Sequence, residues 1–131
     1  MAKILIIEDD EALNKAYKFI LEQDGHEVET AYNGKEGLDK SAKFKPAIIL
    51  LDLLMPVMDG LEFLRKYVGA KTPKLAKVVI MTNLGQEKEV EEAMELGAYK
   101  YILKAHESPR QLSIHVKHLI DKNIEKKEPV S

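Results

Sequence analysis

Four short apolar runs punctuate the chain, and each ends at a polar residue. Ile4 to Ile7 runs into Glu8-Asp9-Asp10, Ala47 to Leu51 into Asp52, Val78 to Met81 into Thr82, and Tyr101 to Leu103 into Lys104. Runs this short, apolar without alternation, predict strands covered on both faces. Glu27 to Ala31 alternates instead and predicts an edge strand.

Helical periodicity fills the gaps between the runs. One stripe comprises Leu13, Ala16, Tyr17, Ile20 and Leu21, closed by Asp24-Gly25; a second, Leu61, Leu64 and Val68, follows Asp59-Gly60; a third, Val90, Ala93, Met94 and Leu96, is closed by Gly97. The last stripe, Leu112, Val116, Leu119 and Ile120, has a marked start: Ser108 as N-cap, Pro109 at the first helical position and Gln111 completing a capping box. Lys35 to Ala42, after Asn33-Gly34, predicts a weaker short helix, and Asp10 and Asp59 read as N-caps.

Strand then helix, five times over, implies a parallel sheet with right-handed crossovers and helices on both faces. At 131 residues the chain is too short for an eight-stranded barrel, which leaves an open, doubly wound α/β sheet. In such sheets ligands collect at the carboxyl ends of the strands, near the point where strand order reverses. The expected organisation is one domain over residues 1–124, followed by a charged C-terminal tail over 125–131.

Composition narrows the chemistry. The formal net charge of -2 supplies no basic field for a nucleic-acid backbone, so nucleic acid is not an expected partner. No window approaches the roughly 20 apolar residues of a membrane span, and the N-terminal apolar stretch is too short for a signal peptide, so a cytoplasmic location is expected. With no cysteine, disulfides, thiol catalysis and sulfur-ligated metals drop out, and only oxygen and nitrogen chemistry remains.

That chemistry gathers at the strand ends, where a parallel sheet lines up Glu8, Asp9, Asp52, Thr82 and Lys104 along one rim. Neighbouring strands lie about 4.8 Å apart. Two carboxylates about 4 Å apart repel by roughly 4 kcal/mol at an effective dielectric of 20. Lys104 offsets one charge; the remainder calls for a raised carboxyl pKa or a hard cation, and all-oxygen ligands favour Mg²⁺. His115 and His118, spaced i, i+3, lack a third ligand nearby and read as helix surface.

Four blocks then resemble the signature of bacterial response-regulator receiver domains of the chemotaxis single-domain type. They are Ile4-Leu5-Ile6-Ile7-Glu8-Asp9-Asp10, Leu51-Asp52-Leu53-Leu54-Met55-Pro56-Val57-Met58-Asp59-Gly60, Met81-Thr82-Asn83, and Gly97-Ala98-Tyr99-Lys100-Tyr101-Ile102-Leu103-Lys104. The resemblance implies a flavodoxin-like (βα)₅ sheet in the order 2-1-3-4-5. It implies that Asp52 accepts a phosphoryl group from a phosphohistidine on a sensor histidine kinase or phosphotransfer protein, with Thr82 and Lys104 assisting. It also implies that Glu8, Asp9, Asp52 and the Leu54 backbone carbonyl serve a Mg²⁺ site, Glu8 through water. Thr82 and Tyr101 would form the switch that remodels the face of the fourth helix, fifth strand and fifth helix for a downstream protein.

Three places depart from the family's commonest pattern. Asn83 stands where a small residue is usual, Ala105 where proline is usual, and Leu54 and Leu84 where polar side chains often help water approach. The last difference leads us to expect slow loss of the phosphoryl group. An unphosphorylated pseudo-receiver acting as a docking module is the alternative, and an aspartate-nucleophile phosphatase is disfavoured because Leu54 occupies the place of its acid. The expectation is therefore a signalling phosphoacceptor without an output domain of its own, and not an enzyme acting on other substrates.

Overall fold

A computed structural model describes residues 2–70 and 76–127. In chain order they form β1 (Lys3–Ile7), α1 (Glu11–Gln23), β2 (Glu27–Ala31), α2 (Gly34–Phe44), β3 (Ile48–Asp52), α3 (Gly60–Gly69), β4 (Lys77–Thr82), α4 (Glu87–Glu95), β5 (Lys100–Leu103), a 3₁₀ turn (Lys104–His106) and α5 (Pro109–Lys127). Positions 128–131 of the expected tail lie outside the described residues.

The strands pair in the order β2-β1-β3-β4-β5, all parallel, which is the flavodoxin-like arrangement. Strand order reverses between β1 and β3, so a crevice opens above their carboxyl ends. The register aligns Ile7 with Leu51, Asp52 with Met81 and Thr82 with Leu103, which brings the polar residues after each apolar run to one edge.

Side chains alternate across the sheet and feed two cores. On one side Ile4, Ile6 and Leu50 pack with Tyr17 and Leu21 of α1 and Leu112, Val116 and Leu119 of α5. On the other, Leu5, Ile7 and Leu51 pack with Phe63, Leu64 and Tyr67 of α3 and Ala93 of α4. Burial on both faces explains the unbroken apolar runs of β1 and β3, whose Ile and Leu side chains each contribute roughly 1.5–3 kcal/mol.

The expected caps form. Asp10 and Asp59 side chains accept from the backbone N–H groups of Leu13 and Glu62, and Ser108 and Gln111 close a reciprocal capping box; Asn33, not read as a cap from the sequence, likewise accepts from the Glu36 N–H. Four local readings are corrected. In α3 the buried side chains are Phe63, Leu64 and Tyr67, whereas Val68 faces solvent, because the helix docks about one residue out of phase with the Leu61-Leu64-Val68 stripe. In α4 Met94 is half-exposed, and in β5 Tyr101 faces outward, since β5 is a sheet edge with one open face. The helix α2 is longer than its weak apolar pattern indicated. It buries Gly34, Gly37 and Ser41, a face of small residues so close-packed that a Cβ at Gly37 would lie 2.5 Å from Ile7 Cδ1.

Candidate functional site: an acidic cluster at the strand-order reversal

The site begins where β1 and β3 stop. Glu8 follows the last residue of β1 and Asp52 ends β3; both are buried, at 2% and 4% exposure. Asp9 is exposed beside them. One carboxylate oxygen from each of Glu8, Asp9 and Asp52 lies within 4.8 Å of the others. Lys104 reaches in from beyond β5, its Nζ 2.6 Å from Glu8 Oε1 and 3.1 Å from Asp52 Oδ2.

Local structure holds each group. The Glu8 carboxylate accepts from the Asp10 backbone N–H at 3.1 Å, while Asn14, fully buried on α1, donates to the carbonyls of Glu8 and Ala31 at 2.9 and 3.2 Å. Asn14 thereby ties the β1–α1 turn to β2. On the Asp52 side, Gly60 opens α3 directly against the end of β3. Its N–H donates to the Leu53 carbonyl at 2.8 Å, and a Cβ at position 60 would lie 2.4 Å from the Asp52 carbonyl oxygen. Only glycine permits that approach. Between them Val57 adopts φ +69°, a left-handed conformation that a β-branched residue rarely takes.

The charges do not balance. Three carboxylates face one ammonium, and burial, reinforced by the Glu8 charge, pushes the Asp52 carboxyl up to about 7 against the pull of Lys104. Burial lowers Lys104, but its contacts with Glu8 and Asp52 outweigh that and hold the ammonium above its ordinary range. Burial, followed by the charges of Glu8 and Asp52, likewise raises the Tyr17 hydroxyl beneath the site. Glu8 Oε1 is buried, and its partner is the Lys104 ammonium at 2.6 Å. An all-oxygen donor set of three carboxylates, with negative charge in surplus over the single ammonium, suits a hard divalent cation.

The remaining expected residues sit around this centre. Thr82 ends β4, 1% exposed, with its hydroxyl donating to the Gln86 side-chain oxygen at 2.6 Å. Tyr101 lies outward in a groove of about 500 Å³ shared with Thr82, Asn83, Val90 and Met94. Leu54 and Leu84 are exposed, at 56% and 68%, beside the residues that end β3 and β4. Asn83 is exposed and Ala105 lies in the 3₁₀ turn; no peptide bond among the described residues is cis. His115 contacts Glu107 at 3.1 Å, and His118 is exposed, in keeping with a surface role. Two structural contributors escape a reading of the sequence alone, Asn14 and Gln86. Asn14 is a buried amide inside the α1 pattern, where a polar residue breaking an apolar face was the signal available, whereas Gln86 precedes α4 and carried no such signal.

Residues 4–117 match the family described as "Response regulator receiver domain". "Transcriptional regulatory protein SrrA" of Staphylococcus aureus is 33% identical over 131 residues, covering 97% of this chain and 53% of that protein. The chain thus spans about half the length of the curated relatives it matches. Among solved structures, the CheY-like receiver domain protein of Methanospirillum hungatei JF-1 is similar with a TM-score of 0.85 and 31% identity, covering 96% of this chain and 98% of that one. The chemotaxis response regulator CheY4 of Vibrio cholerae is similar with a TM-score of 0.81 and 29% identity, covering 90% and 98%.

Fold and acidic cluster together are those of a response-regulator receiver domain. The chain belongs to the response regulator receiver domain family. Among the described residues no helix is long and apolar enough to cross a membrane.

Proposed function

We propose that Asp52 is the phosphoacceptor. A carboxylate oxygen of Asp52 attacks the phosphorus of a phosphohistidine on a sensor kinase or phosphotransfer protein; an O–P bond forms, the N–P bond breaks, and the imidazole leaves with its electron pair and takes a proton. The observation that carries this reading is the pairing of buried Asp52 with Lys104 at 3.1 Å inside a cluster of three carboxylates.

Phosphoryl transfer asks a protein mainly to align an in-line nucleophile and to stabilise charge on the equatorial oxygens. The β3 end and the Gly60 contact fix the direction of Asp52. Lys104, held between Glu8 and Asp52, balances charge as the phosphoryl oxygens arrive. Thr82 donates its hydroxyl to one of those oxygens. Glu8, Asp9 and Asp52, with the Leu54 carbonyl, would hold Mg²⁺, which when bound supplies charge neutralisation for the transferring group. Exposed Leu54 and Leu84 present no group to orient a hydrolytic water, which favours a long-lived acyl phosphate. The product replaces one carboxylate charge with about two on the phosphoryl oxygens, adds strong acceptors at the rim, and drives Thr82 and Tyr101 to remodel the α4-β5-α5 face for a downstream protein, in the cytoplasm.

Incubation with acetyl phosphate and Mg²⁺ tests the assignment. The expected result is one phosphoryl group per chain by intact mass, absent in Asp52→Asn and absent when the metal is chelated. Failure to label the unaltered chain, or labelling that survives Asp52→Asn, overturns the proposal.

A further inference from the structure

We propose that Gln86 is a positioning residue that holds the Thr82 hydroxyl away from the phosphoacceptor pocket, so that phosphoryl binding must first break its grip. This rests on the reading of Asp52 and Thr82 given above. Gln86 precedes α4 and is 6% exposed. Its side-chain oxygen accepts two hydrogen bonds, from Thr82 Oγ1 at 2.6 Å and from the Asn83 backbone N–H at 3.0 Å. The Asn83 N–H can only donate, which identifies the accepting atom as the amide oxygen.

A helix-capping role does not explain this side chain. Residues at that position normally turn inward to accept from the first turn of the helix, yet Gln86 makes no such bond and reaches back to the end of β4. Thr82 carries a single hydroxyl proton, already shared between Gln86 and the Asn83 carbonyl at 3.2 Å. It cannot also serve a phosphoryl oxygen in this arrangement. Two donors at the lip of the site are therefore occupied by one residue, and that residue sits at the start of the helix lining the Tyr101 groove. Freeing Thr82 frees Gln86, which links occupancy at Asp52 to the start of α4.

A binding-competent state populated only in part weakens apparent affinity by that fraction. The phosphoryl analogue fluoroberyllate with Mg²⁺, titrated into the full chain and followed by ¹H–¹⁵N NMR, measures the fraction. Gln86→Met and Gln86→Ala are expected to bind about three- to tenfold more tightly than the unaltered chain, the scale of one hydrogen bond. The gain is expected to vanish in a Thr82→Ala background. In the unaltered chain, saturation is expected to move the Gln86 side-chain amide resonances, a readout that does not depend on any variant folding. Unchanged or weaker affinity in a folded Gln86 variant, a gain that persists with Thr82→Ala, or amide resonances that stay in place would overturn the proposal. If the unaltered chain binds no fluoroberyllate, the phosphoacceptor reading itself falls, and this inference falls with it.

Discussion

Helices α3 and α4 lie on the same face of the sheet and have nearly the same length, 10 and 9 residues, but they are attached differently. Helix α3 buries Phe63, Leu64 and Tyr67, with the two rings stacked 5.5 Å apart at 11°, is capped by Asp59, and starts in contact with the backbone of Asp52. Helix α4 buries Ala93 alone and has no side-chain cap. Across the solvent side the two are joined by the Arg65–Glu92 pair at 2.6 Å, exposed and open to screening by salt. Asp52 is thus tied to the firmly docked helix, while Thr82 leads into the lightly docked one. Elements that respond to a ligand come from the low-stability end of a structure, because modest differential contacts can shift only modest energies.

The sharpest way to break this comparison is to remove the anchor of α3. Phe63→Ala is expected to cost about 3–5 kcal/mol in urea unfolding, whereas Val90→Ala, a partly buried contact of α4 with the same core, is expected to cost under about 1.5 kcal/mol. Equal losses would show that the two helices are docked alike.

A second effect lies in the acidic centre. Asp52 is raised from 3.8 to about 7, so between those values the folded chain holds a proton that the unfolded chain has released. Stability contributed by the protonated form is full below pH 3.8 and is lost as pH rises through 7. Metal-free unfolding titrations should therefore show a decline of roughly 2–4 kcal/mol attributable to this group between about pH 4 and pH 7. Asp52→Asn should remove that component, and Mg²⁺ should restore stability at neutral pH. A profile identical in wild type and Asp52→Asn would contradict the charge imbalance.

The smallest effect concerns the loop between β3 and α3. Val57→Gly relieves a left-handed β-branched residue and is expected to stabilise the chain by roughly 1 kcal/mol, net of glycine's greater freedom when unfolded. A thermal midpoint that falls would show that the valine side chain packs more than its 78% exposure indicates.

Much of this architecture was legible before any coordinates. The apolar runs from Ile4 and Val78 predicted β1 and β4 to within a residue at each end, and Asp10, Asp59 and Ser108 marked three helix starts. The juxtaposition of Glu8, Asp9, Asp52 and Lys104 followed once strand order was carried over from the family resemblance. The phase of α3 was not legible, since Leu61-Leu64-Val68 and Phe63-Leu64-Tyr67 both fit a helical period and only docking on Ile7 and Leu51 selects between them. The face of α2 was hidden because its burial uses Gly34, Gly37 and Ser41, residues that carry no hydrophobic signal.

By itself, the sequence determined the kinds and order of the elements, because burial on two faces leaves a short unbroken apolar run and burial on one leaves a helical stripe. It also determined which carboxylates stand at strand ends. Tertiary structure alone decided that Lys104 spans Glu8 and Asp52, that Gln86 takes the Thr82 hydroxyl, and that α4 fully buries Ala93 alone, with Val90 partly buried beside it. Those outcomes depend on distances of a few ångströms between side chains far apart in the chain, and local pattern carries no information about such distances.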